Sequence, residues 1–136
     1  MKAITQEASM GCAIACSGSL AGLSYKQMRQ YFDNGKSKEY SLGFYNCDIV
    51  EALEKFGIKT QAYSIKKWGK KKIKNGTIVF VGPSEEYLAG HYLLKTKQGW
   101  MNPWINYPNI KPAKAGFQKS LTSKPRWLIT VIPWIS

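Results

Sequence analysis

The amino-acid sequence predicts an α+β fold, with N-terminal helices packed on a mostly antiparallel sheet, and three observations carry that expectation. Up to Gly57, apolar residues recur at the i, i+3 and i+4 spacing that lines one face of a helix. Beyond Gly57 the spacing shortens to about two, the period of a half-buried strand. Helices therefore come first and strands later, an order that argues against alternating βαβ units and a parallel sheet.

The first helix is expected from about Gly11 to Leu23, capped by Ser9, with Cys12, Ala15, Cys16, Ser19 and Leu23 on one face. A second begins at Ser24, where Gln27 three positions on completes a capping box, and it buries Tyr25, Met28, Tyr31 and Phe32. Asp33-Asn34-Gly35 ends it. Asn46 opens a third helix with a stripe of Ile49, Val50, Leu53 and Phe56, and Gly57 stops it. Asp48 in its first turn and Lys55 in its last both complement the helix dipole. Strands are expected at 58–65, 77–81, 91–96, 99–101 and 127–132, with Lys97-Gln98-Gly99 as a tight hairpin turn between two of them.

A chain of 136 residues with 44% hydrophobic content fits one compact domain, 1–136, and no repeat or low-complexity tract divides it. The apolar runs fall well short of the roughly 20 residues that a spanning helix needs. The opening Met1-Lys2-Ala3-Ile4-Thr5-Gln6-Glu7 has no apolar stretch of signal-peptide type, so the expected setting is the cytoplasm or export by a dedicated route. Three cysteines, an odd number without framework spacing, agree with a reducing origin. Net charge is +12, from 20 basic and 8 acidic residues. Six of the basic residues, Lys66, Lys67, Lys70, Lys71, Lys72 and Lys74, crowd into one run around Trp68. Such a run is either a solvated, solubilising loop or a contact for a polyanion.

Nucleophilic catalysis by cysteine needs a thiolate, a base to create it and donors for the developing oxyanion. His91 is the single histidine, so any Cys–His enzyme here must use it. Cys12 has the most favourable setting among the cysteines, since a place in the first turn of a helix lowers a thiol's pKa. Cys16, one turn further on, reads as core, and Cys47, also at a helix start, is the rival nucleophile. The hairpin centred on 97–99 brings Asn102 back to the level of His91, where its amide oxygen can accept the ring N–H. Cys12, Cys16, Cys47 and His91 are also a Cys₃His set, but their spacing matches no zinc knuckle, so neither metal nor cofactor is expected. The aromatics Tyr45, Tyr87, Tyr92, Trp100, Trp104 and Tyr107 either line a cleft or serve the core.

The segment Gln6-Glu7-Ala8-Ser9-Met10-Gly11-Cys12-Ala13-Ile14-Ala15-Cys16 resembles the opening of the bacterial double-glycine leader peptidases, the bacteriocin-processing group of papain-like cysteine peptidases, and their stand-alone relatives. The likeness continues through Leu23–Met28, Gly43–Ile58, Gly90-His91-Tyr92-Leu93-Leu94, Met101-Asn102-Pro103 and Phe117, and so covers nearly the whole chain. It implies a papain-like fold, Cys12 as nucleophile, His91 as base, Asn102 as its orienting partner and Gln6, six residues before the cysteine, as part of the oxyanion hole. Three departures stand out. Gly11 and Ala13 flank the cysteine where the family often has Asp and Gly, Asn102 replaces the usual Asp, and a stand-alone domain is expected in place of one joined to a transporter.

The function expected from these residues is attack on a peptide or glutamine amide. Glutamine deamidation and acyl transfer use the same constellation, and a papain-like binding module working through its basic face is the non-enzymatic alternative.

Overall fold

A computed structural model describes residues 1–8, 10–32, 44–68, 73–85, 87, 89–106, 113–121 and 123–132, with the side chains of residues 67 and 68 left aside. Three helices come first: α1 (Cys12–Ala21), α2 (Tyr25–Arg29) and α3 (Asn46–Phe56). There follow β1 (Thr60–Ser64), a short α4 (Ile65–Trp68), β2 (Ile78–Val81), β3 (His91–Thr96), β4 (Gly99–Asn102), β5 (Gly116–Gln118) and β6 (Pro125–Val131). The strands form one sheet in the order β1-β6-β2-β3-β4-β5, every neighbouring pair antiparallel. The α+β architecture is thus the expected one.

Local chemistry explains most element ends. Ser24 caps α2 through a reciprocal box in which its hydroxyl accepts the Gln27 N–H at 3.1 Å and the Gln27 amide oxygen accepts the Ser24 N–H at 2.9 Å. Asp48 closes the start of α3 on the Tyr45 N–H at 2.7 Å, and Gly57 ends that helix in the left-handed conformation. The tight turn at 97–99 is held by Thr96, whose hydroxyl accepts the Gln98 N–H and donates to the Gly99 carbonyl.

Two expectations are corrected. The 58–65 strand stops at Ser64, because the Ser64 hydroxyl accepts the Lys66 N–H at 3.3 Å and starts the helical turn α4 instead. The α1 stripe does not exist as one face, since Ala13 through Ser19 are all buried. A helix apolar on every side is sunk in the core, not laid on it. The expected cap Ser9, the breaker 33–35, Gly43 and Tyr107 lie outside the described residues, as do Lys70, Lys71, Lys72 and the side chain of Lys67. Lys66 and Lys74, at the two ends of the basic run, are exposed.

The sheet separates two apolar clusters. Ile14, Cys16, Met28, Phe32, Ile49 and Leu53 from the helices pack with Ile78, Tyr92, Leu94, Met101 and Ile129 on one face. Val79, Val81, Leu93, Trp100 and Leu128 form a smaller cluster on the other. No helix among the described residues is long and apolar enough to cross a membrane.

Gly90 precedes β3 with φ at 85°, and a side chain there would meet the Phe80 ring and, at 2.7 Å, the Val81 carbonyl oxygen. Gly22 has φ at 76° but open space around it. Gly22→Ala should therefore cost about 1 kcal/mol from backbone strain alone, and Gly90→Ala about 3 kcal/mol or more because overlap adds to it. Urea unfolding midpoints of the two variants check this order.

Candidate active site

Cys12 is the first residue of α1, directly after the N-cap Gly11. Glycine is required at 11 because the Tyr25 hydroxyl of α2 fills the space that a side chain would take. The sequence-based expectation of a lowered Cys12 pKa is overturned. Burial of the sulfur pushes the thiol up to about 11, although the backbone N–H groups of Tyr92, Ala13 and Cys12 itself pull in the opposite direction. The helix N-terminus is present, but it sits inside an apolar cluster where desolvation of a thiolate outweighs it. Cys16 is fully buried and pushed well up for the same reason, as core packing predicts, whereas Cys47 is exposed on α3.

The Tyr92 N–H places the Cys12 sulfur against the peptide unit that follows His91. His91 itself is 3% exposed and opens β3. Its Nε2 lies 2.8 Å from Asn102 Oδ1, the juxtaposition expected from the hairpin. Register explains it: Leu94 pairs with Met101, so Asn102 at the end of β4 stands diagonally across from His91.

The direction of this bond is fixed by a second donor. The Trp104 backbone N–H, which can only donate, also meets Asn102 Oδ1 at 3.0 Å, so that atom must be the amide oxygen. His91 must then carry its proton on Nε2, and in the neutral ring the Nδ1 lone pair is the basic site. The amide nitrogen of Asn102 donates to the Tyr87 hydroxyl at 3.2 Å and to Gln118 Oε1 at 2.9 Å. Gln118 in turn donates to the Ser120 carbonyl at 2.6 Å. Burial lowers the His91 pKa to about 4, and the Asn102 bond opposes that shift.

Tyr87 lies flat on the imidazole, with ring centroids 3.8 Å apart and planes 3° from parallel. Its hydroxyl donates to the Trp104 carbonyl at 2.6 Å, which anchors the stack at its far end. The Ser84 hydroxyl receives the Tyr87 N–H, and the Gly90 N–H returns to the Tyr87 carbonyl, closing the turn that carries Tyr87 onto the ring. Neither Tyr87 nor Gln118 was marked by the sequence as part of this network. The only available signal was the turn chemistry of Ser84 and Gly90 around a tyrosine four residues before the histidine.

Gln6 is buried, and its backbone N–H donates to the Pro103 carbonyl at 3.2 Å, next to Asn102. Its side-chain amide donates to the Ala8 carbonyl at 2.9 Å, the same oxygen that accepts the Gly11 N–H. Gln6 is thereby tied to the turn that leads into Cys12.

A cavity of about 330 Å³ opens beside Cys12, lined on the helix side by Met10, Phe44, Tyr45 and Asn46 and on the sheet side by Phe80, Ala89, Gly90, Tyr92 and Trp127. Of the aromatics considered from sequence, Tyr45 and Tyr92 line it. Tyr87 stacks on His91, while Trp100 and Trp104 are buried, Trp100 under the Lys95 ammonium at 5.7 Å. Phe44, Phe80 and Trp127 are the liners that the sequence did not single out. Among the described residues no three metal-ligating side chains gather.

No protein-family model matches this chain. No curated protein matches it either. Among solved structures it is similar to the peptidase domain of Streptococcus ComA, a bi-functional ABC transporter involved in a quorum-sensing pathway, with a TM-score of 0.55 and 18% identity over 96% of this chain and 97% of that one. At that identity the likeness shows the fold alone, and the fold is the papain-like arrangement of helices on an antiparallel sheet.

The His91 environment makes stability depend on pH. The unfolded imidazole titrates near 6.5 and the folded one near 4, so between these values only the unfolded chain takes up the proton. The stability contributed by a neutral His91 is complete above pH 6.5 and shrinks as pH falls, by about 3 kcal/mol at pH 4. Urea denaturation at pH 7.5 and 4.5 should show a steeper loss for the natural protein than for His91→Gln.

Proposed function

We propose that this protein is a cysteine-type peptidase or amidase in which Cys12 attacks an amide carbonyl and His91 is the general base. The observation that carries the reading is the double constraint on Asn102 Oδ1, which leaves the basic nitrogen of His91 at Nδ1, together with the sulfur's place against the Tyr92 N–H. The peptidase fold of the structural neighbour supports the same class.

The raised thiol and the lowered imidazole both favour the uncharged forms, so the resting pair is thiol and imidazole. Proton transfer from Sγ to Nδ1 then accompanies formation of the sulfur–carbon bond. The developing oxyanion is met by the Cys12 backbone N–H and the Gln6 amide. Collapse of the tetrahedral adduct expels the amine, which takes its proton from the imidazolium and leaves a thioester. Water, deprotonated by the same imidazole, hydrolyses the thioester and restores the thiol. Asn102 holds the ring in register throughout, and Tyr87 shields the His91–Asn102 bond from water as a positioning residue. Peptide hydrolysis is favoured over deamidation and acyl transfer because the fold shared with this chain is that of a peptidase domain.

Turnover of a fluorogenic peptide library should vanish in Cys12→Ala, and kcat should fall roughly 10²–10³-fold in Gln6→Ala. Full hydrolysis by Cys12→Ala overturns the assignment. The acid limb of kcat/KM should lie near pH 4, with activity lost as His91 takes up a proton. Asn102→Asp places a negative charge beside the ring and should move that limb upward, because the imidazolium is then stabilised. A pH profile that does not move would remove His91–Asn102 from the mechanism.

A further inference from the structure

Charge is divided between the two layers of this molecule. Of the 20 basic and 8 acidic side chains, six of each fall within residues 1–56, so the part that forms α1, α2 and α3 is neutral. The remaining 14 basic and 2 acidic residues give residues 57–136, which form the whole sheet, the entire charge of +12. A polyanion is therefore attracted to the sheet part of the protein and not to its helical part.

The outer face of the sheet, opposite the helices, adds a second feature. Ile65, Ile73 and Leu121 pack there on the apolar cluster around Trp100 and Leu128. A hollow of about 460 Å³ remains among them, lined by Ile73, Trp100, Leu121, Ser123, Lys124 and Pro125. Lysines surround it. Lys124 stands in its wall, Lys74 follows Ile73, Lys66 follows Ile65, and the Lys95 ammonium lies 5.7 Å from the Trp100 ring. Lys66, Lys74 and Lys124 are exposed, whereas Ile73 and Leu121 are half-buried.

The kind of charge narrows the partner. Of the 14 basic residues in the sheet part, all but Arg126 are lysines. Lysine is a mobile point charge, whereas fixed phosphate recognition favours the guanidinium fork. Single-stranded nucleic acid also needs exposed rings on which its bases stack. Trp100 is 8% exposed beneath Lys95 and offers no such platform. Half-buried aliphatic side chains ringed by lysines suit a plane of diffuse negative charge above an apolar interior. Ammonium groups stay there among the headgroups while aliphatic tips enter the interface.

We propose that the outer face of the sheet docks this protein reversibly on an anionic lipid bilayer. Lys66, Lys74, Lys95 and Lys124 supply contact charges, and Ile73 and Leu121 supply a shallow apolar contact. Cys12 belongs to α1, on the helical side of the sheet, so docking leaves it clear and does not depend on its being a nucleophile.

The test is cosedimentation of the full chain with vesicles of phosphatidylcholine, alone or with about one-third phosphatidylglycerol. At about 0.1 M salt the anionic vesicles should bind at least roughly 10-fold more tightly, and the difference should vanish near 1 M, where the Debye length is about 3 Å. The triple variant Lys66→Glu, Lys74→Glu, Lys124→Glu should weaken binding roughly 10- to 100-fold. Lys2→Glu, Lys26→Glu, Lys55→Glu removes the same charge from the helical part and should change binding by less than about threefold. Equal binding to both kinds of vesicle, or equal losses in the two triple variants, overturns the proposal. Tighter retention by oligodeoxythymidine than by anionic vesicles at matched phosphate concentration assigns the face to nucleic acid and overturns the lipid reading. Cys12→Ala should bind vesicles as the natural protein does, which separates this result from the fate of the catalytic reading.

Discussion

The Trp104 backbone N–H is the constraint on which the rest of the site depends. It can only donate, and it meets Asn102 Oδ1. From that contact the orientation of the Asn102 amide follows, and from the amide the tautomer of His91. The same amide then spends its two N–H groups on Tyr87 and Gln118. One side chain thus joins the end of β4, the start of β3, β5 and the turn before Gly90. A buried polar network of this kind is stable only when its members are satisfied, and Asn102 is satisfied on both its oxygen and its nitrogen.

Burial governs the electrostatics of the same region. A thiol at a helix N-terminus is commonly acidic because free N–H groups stabilise the thiolate. Here the helix lies in the apolar cluster, and the sulfur loses more solvation than the N–H groups return. The imidazole is shifted in the opposite direction by the same cause. In both groups burial therefore favours the uncharged form.

Much of this was legible in the sequence because local signals and tertiary structure agree. The capping box at Ser24 and Gln27, the stop at Gly57 and the turn at 97–99 are short-range chemistry, and each sits where the residues indicate. The pairing of His91 with Asn102 was legible for the same reason, since a tight hairpin fixes register. The resemblance of Gln6 through Cys16 to a peptidase opening named the rest of the candidate site. What was not legible depends on packing from afar. The Cys12 pKa is set by desolvation of the sulfur, which depends on the elements that pack over the start of α1. Tyr87, Gln118 and Trp127 reach the site from separate segments, and only Tyr87 carries a local mark, the turn chemistry of Ser84 and Gly90 around it.

Tyr92 has a mechanical consequence. Its main chain faces the sulfur of Cys12, while its hydroxyl holds the first residue of α3 through Asn46. A phenol ring is rigid from Cβ to oxygen, so the gap between that helix and the strand is set at the length of one ring. The cleft cannot widen at its α3 edge without breaking this strut, and any pull on the helix is delivered within a residue of the imidazole.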